Sequence, residues 1–253
     1  MSEKDVYIFE RYGEHGEIAV LRTNRPEHEN RTNWEVISKR ADAYSLLADD
    51  PDVKVYIITG TGAYYDTGGE LNAKDPEERR LYQESIDRFL EAKDRLEARN
   101  IPKIAAVNGK CVAGGMSSVI DADFAIAVET ATFGYPEILR GGFPIMAMEN
   151  ALDYIPYRPL IESMYFGELH DAKWMLDLHL LNCVTSEEDF WPTVMRYAEK
   201  VVSMPSDLIR RGRQAYFDMI RIPKGPERIQ CAKDALKDIL VIQGKHQKGK
   251  ISY

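Results

Sequence analysis

Two glycine-containing turns are the parts of this sequence whose residue types could support chemistry at a carbonyl group. Gly114 and Gly115 lie at the expected start of a helix, and Thr67 precedes the second pair, Gly68 and Gly69. Small residues let the backbone approach a ligand closely, and a helix start favours negative charge. Backbone N–H groups in such turns can stabilise an oxygen that becomes negative during a reaction. Packing alone also explains many glycine pairs, so either turn by itself is ambiguous.

Glu137 is the acidic residue best suited to accompany these turns. A carboxylate in partly apolar surroundings, with its pKa raised towards neutrality, can move a proton to or from carbon. A glutamate taken alone is most often a solvated surface residue, so this role depends on the motif around it. None of the five histidines lies in a metal-ligand or nucleophile motif, which disfavours metal-dependent and Ser–His mechanisms.

Strand-like and helix-like segments alternate along the first half of the chain and must position these residues. Residues 7–10 and 18–22 alternate in polarity as in a hairpin, and residues 53–59 form a β-branched run typical of a buried strand. Further short strands are predicted at 104–107 and 124–128, and helical periodicity is found at 32–47, 77–99, 116–121, 191–204, 206–219 and 232–243. The alternation predicts an α/β fold with strands buried on both faces, followed by helices.

Composition excludes several classes of protein. The chain has 253 residues, of which 41 are acidic and 33 basic, so the net charge is -8. This balance argues against nucleic acid as a partner, because phosphate binding relies on clustered Lys and Arg. No apolar stretch is long enough to span a membrane, and the polar N-terminus predicts no signal peptide.

The three cysteines, Cys111, Cys183 and Cys231, are widely spaced and include no CxxC pair. Neither a disulfide framework nor a zinc site is therefore expected. Reduced thiols in a cytoplasmic protein are the simplest interpretation.

Three segments, in chain order, resemble the crotonase (enoyl-CoA hydratase/isomerase) superfamily. Residues 59–71 (TGTGAYYDTGGEL) look like the family's strand and loop ending in an A-G-x-D-L type turn. Residues 101–115 look like KPxIAAxNGxxxGGG, and residues 121–138 look like CDxxIAxxxAxFGxPE. Weaker similarities at residues 24–30 and 171–184 extend the resemblance over most of the chain.

The resemblance implies a spiral of ββα units over residues 1–195 and a C-terminal helical oligomerisation region over residues 196–253. A homotrimer or a dimer of trimers is implied in the same way. By resemblance, the N–H groups of Thr67 and Gly114 form an oxyanion hole and Glu137 is the catalytic acid and base. The substrate would be an acyl-CoA thioester, with coenzyme A as part of the substrate and no separate cofactor or metal.

Ser117 departs from the pattern of the two-glutamate hydratases, which carry a second glutamate at this position. Single-glutamate relatives include enoyl-CoA isomerases, and hydroxycinnamoyl-CoA hydratase-lyases look nearest because a serine can occupy this place. Ser117 is therefore expected either to bind water or substrate in the catalytic site or to cap the start of a helix.

Three tyrosines near the motifs suggest a cyclic, aromatic or oxygenated acyl group. Tyr64 and Tyr65 precede the Thr67 turn, and Tyr135 lies two residues before Glu137. A phenol can pack against an apolar group while its hydroxyl forms a hydrogen bond. Core or interface packing is the alternative explanation for all three.

Basic and polar residues in the loop that resembles the family's nucleotide-contacting segment are candidates for binding coenzyme A. They are Arg25, Asn30 and Arg31. Lys245, Lys248 and Lys250 could reach a phosphate from the C-terminal tail, although a solvated basic tail is the simpler interpretation.

The sequence thus predicts an acyl-CoA hydratase, lyase or isomerase that acts through a thioester enolate. One alternative is a CoA-independent hydrolase of cyclic β-diketones from the same superfamily, which the missing second glutamate would accommodate. Another is a non-catalytic assembly subunit.

Overall fold

The computed structural model describes residues 5–70 and 74–247. The strands of this part are β1 (Tyr7–Tyr12), β2 (Ile18–Thr23), β3 (Val55–Gly60), β4 (Tyr64–Asp66), β5 (Lys103–Val107), β6 (Lys110–Val112), β7 (Phe124–Val128), β8 (Thr132–Gly134), β9 (His170–Asp171) and β10 (Cys183–Thr185). The helices are α1 (Trp34–Asp49), α2 (Pro76–Glu97), α3 (Gly114–Ile120), α4 (Ile145–Ala151), α5 (Tyr157–Phe166), α6 (Ala172–Asp177), α7 (Glu187–Val202), α8 (Ser206–Ile220) and α9 (Pro226–Gln247). Short 3-10 helices cover Pro26–His28 and Pro136–Arg140.

The strands form a large sheet and a small sheet. The large sheet has the order β1-β2-β3-β5-β7-β10, with an antiparallel β1–β2 hairpin and parallel pairs beyond it. The small sheet has the order β4-β6-β8-β9, in which β4, β6 and β8 are parallel and β9 is antiparallel. The predicted hairpin is confirmed.

Three times the chain leaves a strand of the large sheet and enters a strand of the small one. These passages run from β3 to β4, from β5 to β6 and from β7 to β8. Helix α2 follows the first passage and α3 follows the second. The predicted α/β spiral of ββα units is confirmed, as is the C-terminal helical region.

Burial explains why the central strands lack the alternation of a half-exposed sheet. Every residue of β3 and β5 is buried, as expected for parallel strands covered on both faces. Helix α7 packs across five of the six strands of the large sheet. It does so through Phe190, Val194 and Ala198, which are spaced four residues apart and therefore share one face.

The C-terminal helices begin earlier than the sequence pattern suggests. The predicted boundary between the core (1–195) and the C-terminal region (196–253) falls inside helix α7, which runs without a break across residues 195 and 196. The division of the chain into these two regions stays a prediction. Within the described residues, no helix combines the length and the hydrophobicity that crossing a bilayer requires.

The turns that lead into the small sheet are in direct contact. The Asn108 side chain accepts a hydrogen bond from the Gly60 N–H (3.0 Å) and donates to the Gly62 carbonyl (2.8 Å). The Lys110 N–H donates to the Ala63 carbonyl (3.0 Å). A Cβ on Gly109 would overlap the same carbonyl, so close backbone packing requires glycine here.

We expect Gly109→Ala to lower the free energy of unfolding by about 1–3 kcal/mol, because backbone must shift to admit the methyl group. Urea denaturation followed by circular dichroism measures the change. The matched control is Gly212→Ala in α8, where a Cβ meets nothing within 4 Å and helix propensity should stabilise by about 1 kcal/mol. Equal effects of the two substitutions would contradict the packing described for Gly109.

Candidate active site

The turn that follows β4 presents the Thr67 amide. Gly68 has a φ of +88°, a conformation that residues with a side chain rarely adopt. The Gly68 N–H donates to Asp66 Oδ1 (2.9 Å), and the Thr67 hydroxyl donates to the Glu29 carbonyl (2.7 Å). These bonds fix the backbone on both sides of the Thr67 amide.

Asp66 is itself held by a cation, Arg40, whose side chain is mostly buried. Its Oδ2 lies 3.2 Å from Arg40 Nη2 and accepts a second hydrogen bond from the Thr32 hydroxyl (3.2 Å). Both oxygens of the carboxylate are therefore engaged, one with the turn and one with α1 and its preceding loop.

The turn that follows β6 presents the Gly114 amide. Ala113 has a φ of 56° and a ψ of −128°, which is strained for a residue with a side chain. Its N–H donates to the Gly134 carbonyl (3.0 Å). Ala113 thus separates β6 from α3, which begins at the next residue.

The two turns touch each other. A Cβ on Gly68 would lie 2.7 Å from the Ala113 Cβ and 3.7 Å from the Gly114 nitrogen, and one on Gly115 would overlap the Asp66 carbonyl. Neither the Thr67 amide nor the Gly114 amide has a hydrogen-bond acceptor among the described residues. Two neighbouring free amide donors are what a developing oxyanion requires.

A cavity of about 460 Å³ is lined by residues of both turns and by Glu137. Its wall is partly apolar, and Leu139, Ile145 and Met146 line it while remaining largely exposed. The structure thus brings together Thr67, Gly114 and Glu137.

Glu137 lies in the 3-10 helix that follows β8, and its side chain is half-buried. Its Oε2 atom is buried and has no hydrogen-bond partner in the described part of the chain. Burial raises the pKa of Glu137, an effect that its own backbone N–H and the charge of Arg140 partly offset. A carboxyl with a raised pKa and a free oxygen is suited to exchanging a proton with a bound molecule.

Ser117 does not line the cavity of Glu137. It lines a second, smaller cavity of about 120 Å³, and Gly114 lines both cavities. Gly114 and Ser117 are three residues apart in α3 and so share a face of the helix. The role of Ser117 stays a prediction.

The three tyrosines are dispersed. Tyr65 lines the second cavity, where its hydroxyl is 2.8 Å from the Ser118 hydroxyl. Tyr64 is half-buried, and Tyr135 is fully buried with a hydroxyl that has no hydrogen-bond partner in the described part of the chain. Neither of these two lines the cavity of Glu137 or the second cavity.

Arg25 and Asn30 are buried and organise the loop beside the main cavity without lining it. Arg25 donates to Glu70 and to the Arg31 carbonyl, both at 2.8 Å. The Asn30 side chain accepts from the Arg25 N–H (2.8 Å) and donates to the carbonyls of Thr61 and Tyr64. Arg31, from the same loop, does line the main cavity.

Sequence reasoning missed Glu29, Lys110 and Arg140, which also line this cavity. Lys110 forms an ion pair with Glu29 (3.2 Å). Lys110 follows the recognised Asn–Gly turn and Arg140 lies three residues after Glu137, so a search for cations near the motifs could have found them. Lys245 is exposed on α9, whereas Lys248 and Lys250 lie outside the described residues.

The model of the enoyl-CoA hydratase/isomerase family matches residues 13–253. The chain belongs to this family. Its relatives include the crotonyl-CoA hydratase of Syntrophomonas wolfei, which is 29% identical over 78% of this chain and 77% of that protein. The mevalonyl-coenzyme A hydratase of Aspergillus fumigatus is 35% identical over 76% of this chain and 72% of that protein.

Solved structures show the same fold. The enoyl-CoA hydratase of Mycobacterium smegmatis superposes with a TM-score of 0.84 at 20% identity, covering 94% of this chain and 91% of that one. Human enoyl coenzyme A hydratase domain-containing protein 3 superposes with a TM-score of 0.83 at 22% identity, covering 97% and 99%. The protein is therefore an enzyme of the enoyl-CoA hydratase/isomerase family with the crotonase fold.

We expect Asp66→Asn to lower the free energy of unfolding by roughly 3 kcal/mol, because it leaves the Arg40 guanidinium without its buried counter-ion. Asn keeps an oxygen for the Gly68 N–H, so the loss measures mainly the ion pair. The control is Asp42→Asn, which breaks an exposed pair with Arg88 and should cost less than about 1 kcal/mol. Urea denaturation measures the free energy of unfolding of both variants. Similar losses would show that the Asp66–Arg40 pair stabilises the fold no more than an exposed ion pair does.

Proposed function

We propose that the protein catalyses proton transfer on an acyl-CoA thioester through an enolate intermediate. The amides of Thr67 and Gly114 would stabilise the thioester oxygen, and Glu137 would be the acid and base. The observation that carries this proposal is that all three line one cavity. Hydrogen-bond donors that are already in position before the reaction stabilise the negative oxygen of the transition state. Loss of one such donor lowers kcat by about 10²–10³-fold.

Hydration of a 2-enoyl-CoA is the outcome that we favour, because several relatives are named hydratases. Glu137 would take a proton from a water molecule while the oxygen of that water bonds to the β-carbon of the acyl group. The resulting enolate would then accept that proton at the α-carbon from the same carboxyl. One carboxylate suffices for these two proton transfers, so the mechanism is compatible with serine at position 117.

Double-bond isomerisation and lyase-type cleavage of a carbon–carbon bond would use the same kind of enolate. Isomerisation moves a proton between the α-carbon and the γ-carbon of the acyl group, whereas cleavage breaks the bond between the α-carbon and the β-carbon of a 3-hydroxyacyl thioester and releases an aldehyde. A likeness to hydroxycinnamoyl-CoA hydratase-lyases would favour cleavage. Mass spectrometry of the products separates the three outcomes, since hydration adds the mass of water, isomerisation leaves the mass unchanged and cleavage yields two fragments.

Cations around the main cavity support the proposal that coenzyme A binds there. Arg31, Lys110 and Arg140 line the wall, and guanidinium and ammonium groups are suited to phosphate oxygens. Among the described residues, neither Arg31 nor Arg140 forms a salt bridge, and Arg140 acts on Glu137 only through its charge. Phosphate would therefore not have to displace a directly bonded carboxylate from either guanidinium.

A homotrimer or a dimer of trimers remains our proposal for the assembly. Helices α8 and α9 leave a series of large apolar side chains more than half exposed, namely Tyr216, Ile220, Ile229, Leu236, Leu240 and Val241. Large apolar side chains left exposed on two helices support this proposal, because exposed apolar patches often mark an interface with another protein.

We expect Glu137→Gln to lower kcat/KM by 10²–10⁴ on whichever enoyl-CoA the enzyme converts, since the amide cannot exchange the proton. A panel of acyl-CoA thioesters with mass-spectrometric detection measures turnover. The matched control is Glu149→Gln on α4, which is exposed and lies outside the cavity.

Unchanged turnover in Glu137→Gln would show that Glu137 is not the catalytic acid and base. Absence of turnover in the unaltered protein as well as in the variant would favour a non-catalytic assembly subunit. Titration with coenzyme A tests the other alternative. Tight binding disfavours a CoA-independent β-diketone hydrolase, whereas hydrolysis of a cyclic β-diketone without affinity for coenzyme A would establish it.

The raised pKa of Glu137 predicts the pH dependence. The reacting form for hydration is the carboxylate, so kcat/KM should be highest above this pKa and fall about tenfold per pH unit below it. Because burial raises the pKa, the fall should begin at a higher pH than an exposed glutamate would give. Initial rates across pH give the profile, and Glu137→Gln should lack this acidic limb.

A further inference from the structure

Charged side chains line the second cavity, although half of the residues around it are buried. It has a volume of about 120 Å³, room for several water molecules. Three cations and two carboxylates line it, namely Arg40, Lys93, Lys103, Asp66 and Asp121. Polar side chains complete the wall, among them Ser117, Ser118 and Tyr65.

Lys103 is the unusual member of this group. It is the first residue of β5, a strand whose residues are all buried, and it is only 5% exposed. Lysine is almost never buried to this degree without a partner. Among the described residues its Nζ forms no hydrogen bond, and the nearest carboxylate oxygen, Asp121 Oδ2, is 4.0 Å away.

The other charged groups of the cavity are already engaged. Arg40 is paired with Asp66 at 3.2 Å. Lys93 lies 3.3 Å from Asp121 and 3.4 Å from Glu97. Asp121 also accepts a hydrogen bond from the Asn150 side chain. Lys103 is therefore left as the cation with the weakest pairing, and burial lowers the pKa of Lys103 to about 8.

The position of the cavity relates it to the acyl chain of a bound thioester. Gly114 lines both the main cavity and this one, and a Cβ on Gly114 would meet nothing within 4 Å. Ser117 follows on the same face of α3, about 4.5 Å further along the helix axis. An acyl chain whose carbonyl carbon is held at Gly114 can therefore extend past Ser117 towards Lys103.

We propose, on the basis of the function proposed above, that the second cavity binds the far end of a short acyl group that terminates in a carboxylate. Lys103 is the cation that pairs with it, and Ser117 is placed to donate a hydrogen bond. A methyl terminus would displace water from the Lys103 ammonium without pairing with its charge, which is unfavourable. A carboxylate supplies the missing counter-charge and a charge-assisted hydrogen bond.

Two thioesters of equal chain length test this proposal. Glutaconyl-CoA ends in a carboxylate and 2-pentenoyl-CoA ends in a methyl group, and both offer the same conjugated double bond. We expect the protein to convert glutaconyl-CoA with at least a tenfold higher kcat/KM. Lys103→Met should lose this preference through a fall of tenfold or more with glutaconyl-CoA and no fall with 2-pentenoyl-CoA.

Stability separates binding from a purely structural role of Lys103. Replacement of a weakly paired buried charge by an apolar side chain of similar size is often neutral or stabilising, so the Tm of Lys103→Met should not fall. Equal use of the two thioesters by the unaltered protein overturns the proposal, and so does an equal loss with both substrates in Lys103→Met. The first comparison decides the matter even where the variant does not fold.

Binding without turnover distinguishes failure of this inference from failure of the proposed function. Glutaryl-CoA and valeryl-CoA are saturated thioesters of the same length, and calorimetry measures their affinities directly. Tighter binding of glutaryl-CoA by tenfold or more, abolished in Lys103→Met, supports the cavity assignment even if neither enoyl thioester is converted. Equal affinities, or no binding of either thioester, overturn it, whatever the catalytic result.

Discussion

The geometry of the candidate site depends on one buried carboxylate. Asp66 ends a strand of only three residues, too short to fix its own direction. Its two oxygens connect the Gly68 amide to Arg40 of α1 and to Thr32. The Thr67 amide between these anchors has little freedom to turn. The Asp66 backbone also packs so closely on Gly115 that α3 begins at a fixed distance from the first turn.

The small sheet explains how three residues distant in sequence meet. Its strands β4, β6 and β8 are parallel, so their carboxyl ends lie along one edge. Thr67 directly follows the first, Gly114 comes two residues after the second, and Glu137 comes three residues after the third. Each passage from the large sheet to the small one thus places one of these three residues at the wall of the same cavity.

Much of this arrangement could be predicted from sequence, because the large-sheet strands are apolar runs and the long helices have a clear periodicity. Strands of three residues such as β6 carry no readable period, and pairing alone defines them. Thr67, Gly114 and Glu137 were found because each lies in a recognisable motif. The engagement of Asn30 with Thr61 and Tyr64 could not be predicted, because a single sequence does not show which side-chain atoms are already bonded. For the same reason the sequence does not show that Lys103 lacks a close partner.

Gly114 differs from the other glycines of the site in what its missing side chain leaves. At Gly68 and Gly115 a methyl group would collide with protein, whereas at Gly114 it would enter empty space that borders both cavities. Alanine there would satisfy the helix and the core alike. The fold itself therefore does not require glycine at this position, and a side chain here would take up space beside the two cavities that Gly114 lines.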